Sequence, residues 1–220
     1  KICTLCGECV KVCPNKAIEL VGRYYTSESL YQEIARDQAF FRRSGGGVTV
    51  GGGEATMQSR FLVEFLQRCK RNNLHTAIES CGYCNAEQME KITDFCDLVI
   101  MDIKHFDHNE HKMLTGADNK IILENARNMA KKRPVVFRIP VVPGCNDSES
   151  NIRATAEFVA ALESPRVRVD LLPYHKLGMD NYRRLGLNYP LETVEPPDNA
   201  TMERLRSIVE SYGLTARIEK

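Results

Sequence analysis

Residues 44–54, SGGGVTVGGGE, place a short apolar run between two glycine triplets. Valine and threonine favour extended backbone and glycine interrupts it, so a strand is predicted at 48–50. Outward from this segment, short apolar runs alternate with longer amphipathic runs. The predicted strands are 17–21, 48–50, 76–79, 98–102, 135–140, 168–172 and 215–218. The predicted helices are 30–41, 58–73, 86–95, two short helices between 107 and 131, 148–162 and 199–212.

This alternation predicts an α/β fold. Short strands separated by helices are typical of a parallel sheet with right-handed crossover connections. In both the barrel and the open-sheet versions of such a fold, chemistry gathers at the carboxyl ends of the strands. The residues at those ends are therefore the candidate site, and His175, just after strand 168–172, is the last of them.

A glycine-rich loop follows the strand at 48–50. Gly51, Gly52 and Gly53 leave backbone carbonyl and N–H groups uncovered, and an ammonium group suits such carbonyls. Glu54 follows them directly. A plain turn is the alternative, which the second triplet at 45–47 makes less attractive.

Charged side chains end the next strands. Glu79, followed by Ser80, stands where a carboxylate can bind ribose hydroxyls. Asp102 and Lys104 point to the same face and can together bind a zwitterion or a small cation, with a plain surface pair as the alternative. Arg138 lies in an apolar strand, so its charge needs a partner, either a ligand carboxylate or a structural ion pair.

Four cysteines lie in the first stretch of the chain, KICTLCGECVKVCP. Cys3, Cys6, Cys9 and Cys13 have the C-x-x-C-x-x-C-x-x-x-C-P spacing with which bacterial ferredoxins hold 4Fe-4S clusters. In two-cluster ferredoxins the fourth cysteine ligates the other cluster, so the cluster that Cys13 joins stays open. Zinc sites usually pair two well-separated ligand couples, and disulfide frameworks belong to small secreted domains, so both alternatives fit less well.

Composition narrows the class of protein. A chain of 220 residues can bury one sizeable core and carry a small appendage. A net charge of +1 gives no general attraction for nucleic acid or anionic membranes, and no apolar run of about 18 residues could span a bilayer. Nine cysteines in this pattern indicate metal ligation in a reducing cytoplasm. No strand or initiator Met precedes the cluster motif, so a missing amino-terminal portion is expected.

Two further motifs have ordinary explanations. Cys81-Gly-Tyr-Cys84 has the spacing of a redox motif, but no thioredoxin-like order of elements surrounds it, so a reduced thiol pair is favoured. His105, His108 and His111 recur every third residue. A shared metal would suit that spacing, yet a solvated polar helix is its commoner meaning.

Six segments in one order resemble a known family. They are the cysteine cluster, SGGGVTVGGGEATMQ, HTAIESCGY, DLVIMDIKHFD, FRIPVVPGCND and LLPYHKLGMDNYRRLG. Together they resemble the glycyl radical enzyme activating enzymes of the radical SAM superfamily over nearly the whole chain. The resemblance implies a partial TIM-like (β/α) barrel lacking its first strand at 26–220, and half of a ferredoxin-like 4Fe-4S insert at 1–25.

The resemblance also implies a chemistry. Such enzymes bind S-adenosylmethionine on the open iron of a 4Fe-4S cluster and cleave it reductively. The resulting 5′-deoxyadenosyl radical takes hydrogen from a backbone glycine of a partner, pyruvate formate-lyase or a related dehydratase or lyase. A flavodoxin or a ferredoxin-type protein is the implied electron donor.

Site roles carry over by motif. Residues 51–54 resemble the loop that receives the methionyl ammonium. Glu79, Ser80 and Asp102, with the Ile100 carbonyl, resemble the site for the ribose and a monovalent cation. The resemblance thus assigns the residues at the carboxyl ends of strands 48–50, 76–79 and 98–102 to cofactor binding.

The resemblance also assigns roles to three residues that lie at or after the ends of later strands. Lys104 and Arg138 resemble contacts to the methionyl carboxylate, and His175 resembles a residue that lines the nucleoside.

The family's C-x-x-x-C-x-x-C motif, which holds the radical-generating cluster, occurs nowhere in the chain, so no catalytic residue is assigned. Only the second half of the insert's cysteines is present, and the family's Ser-Gly-Gly-Glu-Pro reads Gly-Gly-Gly-Glu-Ala. The chain is therefore expected to be the carboxy-terminal portion of an activase, inactive by itself.

Two other functions stay open at this point. One is an iron–sulfur electron-transfer or docking module built on the same scaffold, which a start codon directly before Lys1 would favour. The other is a radical SAM enzyme that acts on a small molecule, for which no glycyl radical partner would be encoded nearby.

Overall fold

One parallel sheet organises the protein, whose computed structural model describes residues 3–219. Its six strands follow the order β1 to β6, so each strand pairs with its neighbours in sequence. They are β1 Gly47–Val50, β2 His75–Ser80, β3 Leu98–Asp102, β4 Val135–Val141, β5 Val167–Pro173 and β6 Ala216–Ile218. Within the described residues β1 and β6 are both edges, so the sheet is an open, partial barrel.

Helices connect the strands of the sheet. Within residues 3–219 they are α1 Glu8–Lys11, α2 Ser27–Ala35, α3 Gln38–Ser44, α4 Ser59–Arg71, α5 Ala86–Thr93, α6 His108–Thr115, α7 Lys120–Lys132, α8 Glu149–Ala160, α9 Met179–Arg184 and α10 Asn199–Glu210. Short 3-10 helices occupy Ala55–Gln58 and Lys176–Gly178. Side chains such as Asn85 and Asp107 cap helix amino ends by accepting backbone N–H bonds, which sets the starting residue.

The two faces of the sheet differ in chemistry. Ile78, Met101, Phe137 and Leu171 occupy alternate positions of their strands and are fully buried in the core beneath the helices. Burying side chains of this size stabilises the fold by about 1.5–3 kcal/mol each. The intervening residues face the concave side, and several of them are charged. This alternation separates a structural face from a face available for binding.

Most predicted strands are confirmed. The six from 48–50 onward lie within one residue of their predicted bounds. The predicted strand 17–21 is wrong: residues 16–26 have no regular secondary structure, and no residue of 3–25 is buried. Extended backbone there lacks a partner strand and an apolar layer to stabilise it.

The predicted helix 30–41 is also wrong as one unit, because it is split into α2 and α3. The last turn of α2 tightens to bonds from Arg36 N to Glu33 O and from Asp37 N to Ile34 O, which ends the α-helical path. Between β5 and α10, where no element is predicted, the structure contains the 3-10 helix Lys176–Gly178 and α9. No helix within residues 3–219 has both the length and the apolar character needed to cross a bilayer.

Candidate functional site

A row of charged residues crosses the concave face near the carboxyl edge of the sheet. The strand register sets Asp102 on β3 beside Arg138 on β4, then Asp170 on β5, then Arg217 on β6. Opposite charges in adjacent cross-strand positions attract each other. The row therefore forms an alternating polar band on the side of the sheet that the helices leave uncovered.

Four predicted site residues form two ion pairs in this region. Arg138 Nη1 lies 2.9 Å from Glu79 Oε1, and Lys104 Nζ lies 2.8 Å from Asp102 Oδ2. Glu79 and Lys104 each keep 40% of their side-chain surface exposed, so both remain reachable by a ligand. Arg138 Nε has no hydrogen-bond partner among the described residues. The structural ion pair foreseen as one explanation of Arg138 is therefore present, and the unpartnered Nε is a buried atom.

The glycine loop lies against this cluster. A Cβ added to Gly51 would sit 3.4 Å from Glu79 Cβ and 3.6 Å from Glu79 Oε2, so the backbone passes close to the carboxylate. Gly52 and Gly53 have φ angles of 79° and 55°, a region that favours glycine. All three are exposed. The loop can therefore offer backbone groups to a ligand at close range.

Glu54 turns away from the loop's open side. Its Oε1 accepts hydrogen bonds from Thr56 N at 3.1 Å, Thr56 Oγ1 at 2.8 Å and Ser80 Oγ at 2.8 Å. Its Oε2 accepts one from Cys81 N at 2.9 Å. Burial opposes ionisation, but hydrogen bonds from Cys81, Ser80 and Thr56 outweigh it and hold the pKa of Glu54 below its ordinary value. Glu54 thus ties the glycine loop to the end of β2.

Ser80 shares this positioning arrangement. Its side chain is buried, and its hydroxyl donates to Glu54 while accepting from Gly82 N at 2.9 Å. Ser80 is two residues from Ile78 along β2, so both side chains point to the same face of the sheet. Ile78 packs there in the core beneath the helices. Direct contact of Ser80 with a ligand stays a prediction.

His175 follows β5 at the same edge of the sheet. It is exposed, and its Nδ1 accepts a hydrogen bond from Leu177 N at 3.4 Å, at the start of the 3-10 helix Lys176–Gly178. The imidazole is thus placed on the fifth strand's loop, where its predicted contact with a nucleoside stays a prediction.

Sequence reasoning missed one charged pair on the concave face. Asp170 is fully buried and accepts bonds from Arg168 Nε at 3.0 Å and Arg168 Nη2 at 3.1 Å. Spacing of two along a strand puts both side chains on one face, the argument already applied to Asp102 and Lys104. The same signal could therefore have found this pair.

A cavity of about 190 Å³ adjoins the Lys104–Asp102 pair. Cys81 and Tyr83 contribute to its lining, together with residues of α6 and the loop after it. Burial, aided by the contact with Glu54, raises the pKa of Cys81 to about 11. Cys81 and Cys84 are both free thiols, as expected for a reduced pair.

The histidine triplet does not converge. His111 is buried, with Nδ1 2.8 Å from Ala117 O, whereas His105 Nδ1 accepts from Asp107 N and His108 is exposed at the start of α6. No three or more His, Cys, Asp or Glu side chains within residues 3–219 are gathered as a metal site. The solvated-helix interpretation therefore fits His108 but not His111, which is buried and bonded.

The four amino-terminal cysteines remain a predicted ligand set, and their surroundings suit thiolate ligands. Leu5 N donates to Cys3 Sγ at 3.4 Å and Ala17 N donates to Cys13 Sγ at 3.2 Å. Hydrogen bonding from Ala17 N lowers the pKa of Cys13, and bonding from the Glu8 backbone lowers that of Cys6. Backbone donors to sulfur also tune iron–sulfur clusters. The structure does not gather the four sulfurs at one point, so their shared ligation of a 4Fe-4S group stays a prediction.

Known proteins resemble both parts of the chain. The family model of the radical SAM superfamily matches residues 11–159, and that of the 4Fe-4S binding domain matches residues 1–19. The choline trimethylamine-lyase activating enzyme of Oleidesulfovibrio alaskensis (strain ATCC BAA-1058 / DSM 17464 / G20) is 38% identical, over 99% of this chain and 81% of its own length. The chain belongs to the glycyl radical enzyme activating enzymes of the radical SAM superfamily.

Other activating enzymes are also similar to this chain. The 4-hydroxyphenylacetate decarboxylase activating enzyme of Clostridioides difficile (strain 630) is 37% identical over 99% of this chain and 69% of its own length. A domain of pyruvate-formate lyase-activating enzyme from Bacteroides vulgatus ATCC 8482 has a TM-score of 0.67 and 30% identity, covering 80% of this chain and 99% of that one. As in the family, the cofactors are an iron–sulfur cluster and S-adenosylmethionine. The predicted family, partial-barrel fold and cofactors are thus confirmed.

Proposed function

We propose that this chain supplies the S-adenosylmethionine-binding barrel of an activase that installs a glycyl radical on a pyruvate formate-lyase-like partner. One observation carries the proposal. Two half-exposed ion pairs, Glu79–Arg138 and Asp102–Lys104, lie at the same edge of the concave face as the glycine loop. A zwitterionic ligand with a hydroxylated ribose needs such a mixture of carboxylates, cations and bare backbone.

Each group has a defined task in this proposal. Lys104 and Arg138 bind the methionyl carboxylate through their charged groups. The carbonyls of the loop 51–53 accept hydrogen bonds from the methionyl ammonium. Glu79 and Asp102, with the Ile100 carbonyl, bind the ribose and a monovalent cation.

Other residues shape the same site. Glu54 and Ser80 act by orienting the glycine loop against β2, through the hydrogen bonds described above. His175 lines the nucleoside from the loop after β5. Together they restrict the approach of water to the bound cofactor.

The amino-terminal segment holds an auxiliary cluster in this proposal. Cys3, Cys6, Cys9 and Cys13 are its ligands, residues 1–25 form half of a ferredoxin-like insert, and residues 26–220 form the barrel. A 4Fe-4S group, when bound, supplies one-electron chemistry. The donor is a flavodoxin or ferredoxin-type protein, and the setting is cytoplasmic.

We further propose that these 220 residues do not generate a radical by themselves, because they contain no C-x-x-x-C-x-x-C motif. Anaerobic reconstitution with iron and sulfide, followed by S-adenosylmethionine and dithionite, tests this. We expect iron bound through the four cysteines and no stoichiometric 5′-deoxyadenosine by chromatography. Stoichiometric 5′-deoxyadenosine would show that the chain is self-sufficient.

The source DNA upstream of Lys1 provides the test of the activase itself. A continuous reading frame with C-x-x-x-C-x-x-C and a further four-cysteine repeat is the expected result. The longer product should then give the glycyl radical signal in electron paramagnetic resonance when mixed with its partner. A start codon directly before Lys1 would instead favour an iron–sulfur carrier or docking protein on this scaffold.

A further inference from the structure

One buried amide joins helix α7 to the segment that follows β2. Asn125 lies near the middle of α7 and is fully buried. Its Nδ2 donates to Gly82 O at 2.9 Å and to Cys84 O at 2.8 Å. Both carbonyls belong to residues 81–84, which we call the β2 loop. A side chain of one helix thus holds two backbone groups of a loop that comes much earlier in the chain.

The amide is costly in this position. Asn125 Oδ1 is buried and has no hydrogen-bond partner among the described residues. A buried polar atom without a partner lowers the stability of the fold. Its neighbours on α7, Ile122, Ala126 and Met129, are apolar members of the core, so an apolar side chain would suit the packing here. The amide provides what an apolar side chain cannot, which is two directed hydrogen bonds to the β2 loop.

The β2 loop is itself bonded to the residue that holds the glycine loop. Gly82 N donates to Ser80 Oγ at 2.9 Å, and Ser80 Oγ donates to Glu54 Oε1 at 2.8 Å. Cys81 N donates to Glu54 Oε2 at 2.9 Å. Glu54 directly follows the glycine loop 51–53. An unbroken series of hydrogen bonds therefore runs from the amide of α7 to the carboxylate that anchors the glycine loop.

Hydrogen bonds rather than side-chain packing fix the β2 loop at Gly82. Its φ angle is 73°, in the region that favours glycine. A Cβ added there would lie 2.5 Å from Met101 Cε, so the bare backbone passes directly against β3. The other hydrogen bonds at Gly82 are local, since they join it to Ser80 Oγ and Cys84 N. The bond from α7 therefore fixes this loop relative to the rest of the fold.

From these contacts we propose that Asn125 is a positioning residue for the binding of S-adenosylmethionine, and that it acts through the β2 loop and Glu54 on the glycine loop. The inference rests on the proposed function, and it gives a role to a helix residue remote from the cofactor. The other buried asparagines of residues 3–219 donate to carbonyls in or after β4 or after β3, and they are Asn119, Asn146 and Asn151. Support of the β2 loop thus belongs to Asn125.

Two matched variants test whether the amide holds the β2 loop. Asn125→Leu removes both hydrogen bonds and keeps a branched side chain in the core. Asn151→Leu is the control, because Asn151 is also a buried amide on a helix, bonded to Asn146 O at 2.7 Å and Phe106 N at 2.8 Å instead. Circular dichroism establishes that each variant is folded. If Asn125→Leu does not fold, Asn125→Ala takes its place.

Amide hydrogen exchange, followed by nuclear magnetic resonance, separates local from global effects. The reporters are the N–H groups of Cys81 and Gly82, and the N–H of the fully buried Val169, which donates to Thr215 O, measures opening of the whole sheet. In Asn125→Leu, exchange at Cys81 and Gly82 should accelerate at least tenfold relative to Val169. In Asn151→Leu that ratio should change less than twofold. Equal acceleration at all three positions would mean a general loss of stability and would overturn the proposal.

Cofactor affinity provides the second readout, by calorimetry with S-adenosylmethionine on the reconstituted chain. Asn125→Leu should weaken binding at least threefold. Combined with Glu54→Gln, it should weaken binding by less than the product of the two single effects, because both changes release the same loop. A full product would show that Asn125 acts independently of Glu54 and would overturn the proposed route. If the wild-type chain binds no S-adenosylmethionine, the proposed function fails and the role toward the cofactor fails with it, whereas the exchange rates still show whether α7 holds the β2 loop.

Discussion

Replacing Glu54 by Gln tests whether one carboxylate holds the glycine loop against the end of β2. The wild-type carboxylate accepts four hydrogen bonds, three at Oε1 and one at Oε2. Gln keeps one carbonyl oxygen, but its NH₂ group then faces the Cys81 N–H, donor against donor. The variant therefore loses the charge and leaves one backbone donor unsatisfied.

The expected cost follows from these contacts. A lost hydrogen bond to a charged group and an unsatisfied donor each cost about 1–3 kcal/mol, so the free energy of unfolding should fall by roughly 2–4 kcal/mol for this half-buried site. The folded-state pKa of Glu54 lies below the ordinary value of 4.5. Its stabilisation is therefore complete above that ordinary pKa and is lost as the pH falls through the lower, folded-state value. Wild type and variant should converge in stability in that acidic range.

Urea unfolding followed by circular dichroism measures both effects. Glu87→Gln is the control, since Glu87 is 78% exposed and pairs with Lys91 on the surface of α5. We expect its free energy of unfolding to stay within about 0.5 kcal/mol of wild type. A Glu54→Gln change as small as the control, or one independent of pH, would refute the reasoning.

Three further outcomes are expected. Asp170→Asn leaves the Arg168 guanidinium without its carboxylate and should lower the free energy of unfolding by about 2–4 kcal/mol in urea, less than for a fully buried pair because Arg168 is one-third exposed. Arg138→Gln should weaken S-adenosylmethionine binding at least tenfold by calorimetry on the reconstituted protein. In the iron-free chain at pH 8, iodoacetamide should modify Cys13, whose pKa is lowered by the Ala17 N–H, well before Cys96, whose pKa burial raises to about 12.

Each of these has a control or a contrary result. Arg153→Gln, with half its side chain exposed on α8, controls for the loss of a guanidinium in Arg138→Gln. An equal effect of Arg153→Gln and Arg138→Gln on affinity would separate Arg138 from the site. Alkylation of all thiols at one rate, read by mass spectrometry, would contradict the burial of Cys96.

Local patterns in the sequence were enough to predict the six strands of the sheet, but they also predicted one strand that does not form. LVIMD, residues 98–102, is an apolar run between polar segments, and β3 has those same bounds. AIELV, residues 17–21, has a similar composition and forms no strand. A strand is stable only when a neighbour pairs with it, and no pattern within five residues reports whether that neighbour exists.

In the same way, the alternation of side chains along one strand predicted that Asp102 and Lys104 lie on one face. It did not predict contacts between side chains of different strands. Glu79 and Arg138 belong to strands separated by β3, and they meet because parallel register and sheet curvature bring their side chains together. Glu54 reaches Cys81 across 27 positions of sequence. These contacts depend on register rather than on composition.

The sequence by itself therefore determined the order of strands and helices and the chemical types at the strand ends, because these follow from short-range periodicity and spacing. Six motifs in one order carried the resemblance to the family. Only the tertiary structure decided that Glu54 and Ser80 orient the loop and that Glu79 on β2 pairs with Arg138 on β4. Those features depend on which distant segments become neighbours, which packing of the whole sheet settles.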